Sequence, residues 1–274
     1  MMVPDTPSKV SGIGIFIGTG ACDARCAHCA GIPHRRYAPK VDGVIDNNLI
    51  RKTLEDCYAR GARSLSLTGS GEPTLSPGSV TRALSIVDNL RAENIVYSSI
   101  HLYTNGIRIG TDDAFCNEYL LLWRNKGLDT LYITVHDIDE RRNAQVYGVA
   151  SYPPLTTVFS RAHEAGLAVR ANMMLSKNTV HTLDDFVSSV EYLRYIGADR
   201  IAAWPVRGLD DRPDATRGPS PEEFERIGAW VREHGVEYNV SLSGEESRAV
   251  YRSGAKLTLF PDGTLSSEWC NNAK

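Results

Sequence analysis

Cys22, Cys26 and Cys29 fall within eight residues, separated by three and then two others. Three thiolates so close together make a metal or redox site far more readily than a packing feature. They can grip one iron–sulfur cluster, and three of them leave one iron of a four-iron cluster without a protein ligand. That iron is open to a substrate or cosubstrate. Two other chemistries could use the same residues. A structural zinc ion could take the three cysteines plus His34 as a nitrogen ligand. Cys26 and Cys29 could form a two-cysteine redox pair. Structural zinc motifs usually come as paired knuckles, and no second pair follows.

The elements that must position these thiols alternate along the chain. Gly12 to Ile17 is a short apolar run ending in Gly18-Thr19-Gly20, and reads as a buried strand that delivers the cysteine loop at its C-terminal end. Asn48 to Arg60 has helical spacing and carries Cys57 on its apolar face. Ser64 to Leu67 reads as a strand running into Gly71-Glu72-Pro73, and Ser76-Pro77 opens a helix to about Arg91. Ile95 to Leu102 reads as a strand ending at Thr104-Asn105-Gly106, and Asp112 to Asn125 as a helix holding Cys116. Leu131 to Val135 is a strand ending at His136, and residues 155 to 162 mark a helix stopped by Gly166. Ala168 to Leu175 is a strand, and Thr182 caps the next helix. Arg200 to Trp204 is the sixth strand, and Ser220-Pro221-Glu222-Glu223 is a capping box for the sixth helix.

Six strand–helix units imply a parallel sheet with right-handed crossovers, too few for an eight-fold closed barrel. The expected fold is α/β, an open, TIM-like (β/α)6 partial barrel over residues 1–235. The unusual polar groups all sit at C-terminal strand ends, the rim where parallel α/β folds build sites. Residues 236–274 differ. Lys256 to Leu265, around Pro261-Asp262-Gly263, reads as a hairpin, leaving a short C-terminal extension. Gly208 to Pro219, rich in Asp, Arg and Pro, is expected to be a mobile loop at the same rim.

The cysteine spacing resembles the signature of the radical S-adenosylmethionine (SAM) enzymes, whose open iron is chelated by SAM. His28 stands before the last cysteine, where that family usually carries an aromatic residue. The resemblance covers about Gly12 to Val206 and is strongest to the branch of the molybdenum-cofactor biosynthesis enzyme and the SPASM enzymes. It implies one 4Fe-4S cluster on Cys22, Cys26 and Cys29, with SAM on the open iron. Gly71-Glu72-Pro73 resembles the motif that holds the SAM amino group. Thr104, Asn105, Thr134 and Asn172 look like its ribose- and carboxylate-binding positions, and Trp204 like part of the adenine wall.

Two departures from that branch matter. It often has Ser-x-Asp where this chain has Thr134-Val135-His136, which makes His136 a candidate for facing substrate or a structural histidine. After the hairpin, where SPASM enzymes carry many cysteines for auxiliary clusters, only Cys270 follows. It is a candidate hydrogen-atom donor if the tail folds across the rim, or an incidental cysteine in a loose terminus.

The implied reaction is reductive cleavage of SAM to a 5′-deoxyadenosyl radical, which abstracts hydrogen from an unactivated carbon. An electron donor such as flavodoxin or ferredoxin is the expected partner. Because the first strand starts near Gly12, no leader-binding module is expected. The expected substrate is a small sugar- or nucleoside-like molecule, its product an epimer, a dehydrogenated or a similarly tailored compound. A peptide- or protein-modifying enzyme is the alternative within the family, and a zinc-stabilised binding protein the alternative outside it.

Composition is consistent with these expectations. The chain has 274 residues, 42% hydrophobic and 23% charged, with a net charge of −3 and no long basic run to suggest nucleic acid. Six cysteines, three clustered and three scattered, are not a secreted disulfide framework, and a reducing cytoplasm is expected. No apolar run reaches the roughly 20 residues of a membrane helix, and Met1 to Lys9 lacks signal-peptide features.

Overall fold

A computed structural model describes residues 9–29, 31–207, 213–214, 216–243 and 253–267. Its strands are β1 (Gly12–Ile17), β2 (Ser64–Gly69), β3 (Ser99–Thr104), β4 (Thr130–Val135), β5 (Ala168–Leu175), β6 (Arg200–Pro205), β7 (Val240–Leu242), β8 (Lys256–Leu259) and β9 (Leu265–Ser266). They form one sheet in the order β7-β6-β5-β4-β3-β2-β1-β8-β9. Every neighbouring pair is parallel except the β8–β9 hairpin. With β7 and β9 at opposite edges, the sheet is not closed, and the fold is the expected partial barrel. The region after residue 236 supplies both edges: β7 extends β6, and β8 lies against β1.

The helices are α1 (Asn47–Ala59), α2 (Pro77–Ala92), α3 (Ile107–Thr111), α4 (Asp113–Phe115), α5 (Leu121–Asn125), α6 (Glu140–Tyr147), α7 (Leu155–Glu164), α8 (Leu183–Tyr195) and α9 (Pro221–His234). The single helix expected over 112–125 is α4 and α5 joined by a wide π turn at Cys116–Leu120. The strand expected from Ile95 begins at Ser99, because Ile95 closes α2 through its N–H to Leu90 O. Helix α6 was not expected. Its sequence is mostly polar, buries only Asn143, Ala144 and Tyr147, and is started by Asp139, whose carboxylate accepts from two backbone N–H groups. At α9 only half of the expected capping box forms. Ser220 accepts from the Glu223 N–H, while the Glu223 carboxylate reaches across to the Leu183 N–H of α8.

The two faces of the sheet differ in kind, because successive side chains point to opposite sides. One set of alternate residues is apolar and fully buried under the helices: Ile13, Ile15, Leu65, Leu67, Leu102, Leu131, Ile133, Val169, Ala171 and Ile201. The other set faces the inside of the open barrel and is largely polar or aromatic: Ser66, His101, Tyr103, Tyr132, Thr134, Arg170, Asn172 and Trp204. Among the described residues no helix is long and apolar enough to cross a membrane.

Candidate active site at the cysteine loop

The loop carrying Cys22, Cys26 and Cys29 leaves β1 and lies on the loop that leaves β2. Gly71 permits this contact: a Cβ there would stand 2.1 Å from Ala21 O and 2.6 Å from Gly20 C and O. Gly31, at the other end of the loop, also packs closely on Ser70, where a Cβ would meet the carbonyl oxygen at 2.8 Å. The absence of a side chain at position 71 therefore serves the cysteine loop's own backbone.

Hydrogen bonds tie the loop down from several elements. The Glu72 N–H donates to Ala21 O at 2.8 Å, and Arg25 N–H to Tyr147 O, at the end of α6, at 2.7 Å. Asn105 Nδ2 donates to Asp23 Oδ1 at 2.6 Å. Arg35 Nε donates to Ser70 O at 3.0 Å, and its Nη2 stands 3.9 Å from the Cys29 sulfur.

Behind this contact lies Glu72, only 4% exposed. Its Oε1 accepts from Thr104 Oγ1 at 2.7 Å and from Thr74 N–H at 3.0 Å. Its Oε2 accepts from Asn105 N–H at 2.7 Å. Burial pushes the carboxyl pKa up, against the pull of these donors. Thr104 and Asn105 are thus engaged within the protein: Thr104 with Glu72, Asn105 with Glu72, Asp23 and the Ile107 N–H.

Asn172 is different. It has no exposed surface, and neither its amide nitrogen nor its amide oxygen has a partner. An unpaired buried amide costs on the order of 1–3 kcal/mol per lost bond, so such a group marks a place where a ligand completes the structure. Its neighbour in the register is Thr134 on β4, whose carbonyl accepts from Tyr147 OH at 2.8 Å. His136, one residue past the end of β4, is 2% exposed, and neither ring nitrogen has a hydrogen-bond partner. Its ring meets His28 edge-on at 5.0 Å and Tyr147 at 4.5 Å, beside the cysteine loop. Burial, with a smaller contribution from His28, lowers its pKa to about 3, so the imidazole is neutral. Trp204 is half-buried on the inner face of β6. Beyond β6, the described part of the rim loop turns back through Asp214 N–H to Val206 O, and the Arg217 charge is felt at His28. Cys270 lies outside the described residues.

The three thiols are free, half-buried and close enough to act on one another. Burial raises Cys22 to about 11, and burial together with the charges of Cys29 and Cys22 raises Cys26 to about 12. A bound cation reverses that logic, since coordination deprotonates a thiol outright. Among the described residues no three His, Cys, Asp or Glu side chains converge on one ion. The fourth zinc ligand considered above, His34, is stacked 4.8 Å from Phe260 and sits 5.0 Å from Phe16. Cluster ligands each hold a different iron and need no such single meeting point. The donor set suits a cluster, and the unpaired amide of Asn172 suits a polar cosubstrate beside it.

Sequence reasoning missed Asp23, Arg25 and Tyr147 as anchors of the loop, because each acts through partners far away in the chain. It also passed over His101, Tyr132 and Arg170 on the inner face. Their alternate positions in three successive strands were the available signal.

Comparison with known proteins agrees with this geometry. The sequence profile of the radical SAM superfamily matches residues 16–193. The GTP 3′,8-cyclase of Klebsiella pneumoniae is 26% identical over 175 residues, which is 63% of this chain and 49% of that protein. The chain therefore spans about half the length of the curated relatives it matches. Streptococcus suis SuiB, solved with S-adenosylmethionine bound, superposes with a TM-score of 0.70 at 14% identity, over 97% of this chain and 62% of its own. Methylornithine synthase (PylB) superposes with a TM-score of 0.60 at 14% identity, over 97% of this chain and 78% of its own. At such identities these structures speak for the fold alone, and the profile match over more than half the chain speaks for the family. With the three-thiol loop on the rim of an open parallel barrel, this chain belongs to the radical SAM superfamily, whose cofactors are a 4Fe-4S cluster and S-adenosylmethionine.

Proposed function

We propose that the protein is a radical SAM enzyme acting on a small, sugar- or nucleoside-like molecule held inside the partial barrel. The observation that carries this reading is two unpartnered buried side chains: Asn172 on the inner face of β5, and His136, whose ring meets His28 of the cysteine loop. When bound, the reduced cluster and SAM supply a carbon-centred radical that removes hydrogen from an unactivated carbon.

The chain's own residues do the rest. Cys22, Cys26 and Cys29 hold the cluster. Glu72 fixes Thr104 and Asn105, and through Asn105 the loop at Asp23, so the cosubstrate meets a preorganised bed. Asn172 offers one donor and one acceptor to SAM, with Thr134 alongside, and Trp204 provides a flat wall for a planar base. Neutral His136 can donate or accept one hydrogen bond to substrate, depending on its tautomer. A flavodoxin or ferredoxin would deliver the electron. A nucleotide-cyclising relative favours the small-molecule class, while a fold neighbour solved with its precursor peptide makes a peptide the competing outcome.

Anaerobic protein should hold about four irons per chain and lose them in Cys26→Ala. With reductant it should convert SAM to 5′-deoxyadenosine and methionine, and Asn172→Ala should weaken SAM binding about tenfold, as one buried bond of about 1.4 kcal/mol implies. Stoichiometric zinc without iron would overturn the reading. For the substrate class, the dialysable fraction of a cell extract should stimulate 5′-deoxyadenosine formation. Stimulation confined to the retained, macromolecular fraction would mean a peptide or protein substrate.

A further inference from the structure

The inner face holds a second polar feature, deeper than the rim groups. Arg170 lies two residues before Asn172 on β5, about 7 Å lower along the strand. Its guanidinium lies over the Tyr132 ring, 4.3 Å from the centroid. Tyr132 in turn is stacked face to face on His101, at 4.1 Å and 10° between planes. Tyr103 closes the side of this pile, edge-on to Tyr132 at 5.0 Å. The cation therefore rests on a stack of two rings that fixes where it points.

The guanidinium is also drawn toward the rim. It lies 5.9 Å from the Trp204 ring, although in the sheet register Arg170 pairs with Arg200 and Trp204 with Met174. The two side chains converge across four residues, some 13 Å of strand. Among the described residues no carboxylate and no hydrogen-bond acceptor meets the guanidinium, whose five N–H donors are fixed in a plane. Lys256 of β8 and Arg170 repel each other, and both lower the pKa of His101, after burial, to about 3. Among the described residues this half-buried cation has no counter-charge, a costly arrangement unless an anion visits it.

We propose that Arg170, standing on the Tyr132–His101 stack, is the anchor for an anionic group of the substrate, a carboxylate or phosphate oxyanion held inside the barrel below the SAM-binding rim. A planar guanidinium takes either group by two parallel bonds. The aromatic walls of Tyr103 and Tyr132 suit an uncharged ring attached to that anion. The proposal rests on the reading that substrate lies inside the barrel, and it narrows the substrate class to anionic molecules.

The test uses cluster-loaded protein saturated with SAM, titrated calorimetrically with inorganic phosphate in one arm and acetate in the other. At least one anion should bind, and Arg170→Met should weaken it tenfold or more while iron content and SAM affinity stay at the parent's values. The arm that responds tells phosphate from carboxylate. Equal anion binding by parent and variant, or no binding of either anion by the parent, overturns the proposal. So does a loss of SAM affinity matching the loss of anion affinity, which would assign Arg170 to the SAM carboxylate. If Arg170→Met fails to fold, Tyr132→Leu keeps the charge and removes its support, and unchanged anion affinity there would equally overturn it. Absence of iron and SAM binding from the parent would count against the radical SAM reading, while the anion titration would still decide the role of Arg170.

Discussion

A carboxylate that accepts three hydrogen bonds where water hardly reaches serves as a fastener. Glu72 joins the ends of two strands and, through Asn105, the cysteine loop. Removing it leaves the Asn105 N–H and the Thr104 hydroxyl unpaired in a buried place. Glu72→Ala should therefore lower unfolding free energy by about 3 kcal/mol, measured by urea titration. Glu72→Gln should fall between, since one oxygen survives while its amide N–H₂ faces a donor. SAM affinity should drop in the same order, because the bed under the cosubstrate loosens. A Glu72→Ala protein with parental stability would show that these bonds count for nothing. One with parental SAM affinity would separate the fastener from the SAM site.

At the scale of elements, two loops share one boundary, and Gly71 sets its thickness. A methyl group there would overlap backbone atoms of Gly20 and Ala21, which cannot swing aside as a side-chain tip can. Gly71→Ala should thus reduce iron content well below that of the parent even though no ligand is touched. Gly228→Ala is the control. In mid-helix α9 a Cβ would meet the end of Arg232 at 3.4 Å and a Leu242 methyl at an ordinary 3.8 Å, and the alanine should add about 0.5–1 kcal/mol of stability with full iron content. Iron retained in Gly71→Ala would mean that the loops have slack.

The same scale shows what could be read from the sequence. Strands β1 and β5 were legible to the residue: β1 is an apolar run ending in Gly18, and β5 follows the helix stop at Gly166. The places of the cysteine loop and of His136 at strand ends followed from that alternation, while Glu72 and Asn172 were singled out by the family resemblance. Helix α6 escaped because its exposed face outweighs its buried one. The partners of Glu72 escaped because Thr104 and Asn105 are more than thirty residues away, and no local pattern encodes such a meeting. Arg170 escaped because β5 read simply as a strand, and its pairing with Tyr132 joins residues 38 apart, which no local pattern encodes.

At the scale of the whole molecule, the chain's last described strands reach back to the first. Strand β8 pairs with β1 in parallel, and Phe260, one residue beyond β8, is almost fully buried. Its ring stacks on His34 at 4.8 Å and sits 5.2 Å from Phe16. His34 belongs to the short 3-10 turn (Ile32–Tyr37) that follows the last cysteine, and Arg35 of the same turn reaches toward the Cys29 sulfur. The hairpin therefore clamps the exit of the cysteine loop through one aromatic ring. Phe260→Ala should cost about 3 kcal/mol of stability, as for other large-to-small changes in a core. It should also let a chelator strip iron several times faster than from the parent. Leu193→Ala, in the core under α8 and away from the loop, should cost a similar 2–5 kcal/mol and leave the rate of iron release unchanged. Equal acceleration in both variants would mean that general destabilisation sets the rate. Acceleration in Phe260→Ala alone would show that the far end of the chain holds the cofactor loop shut.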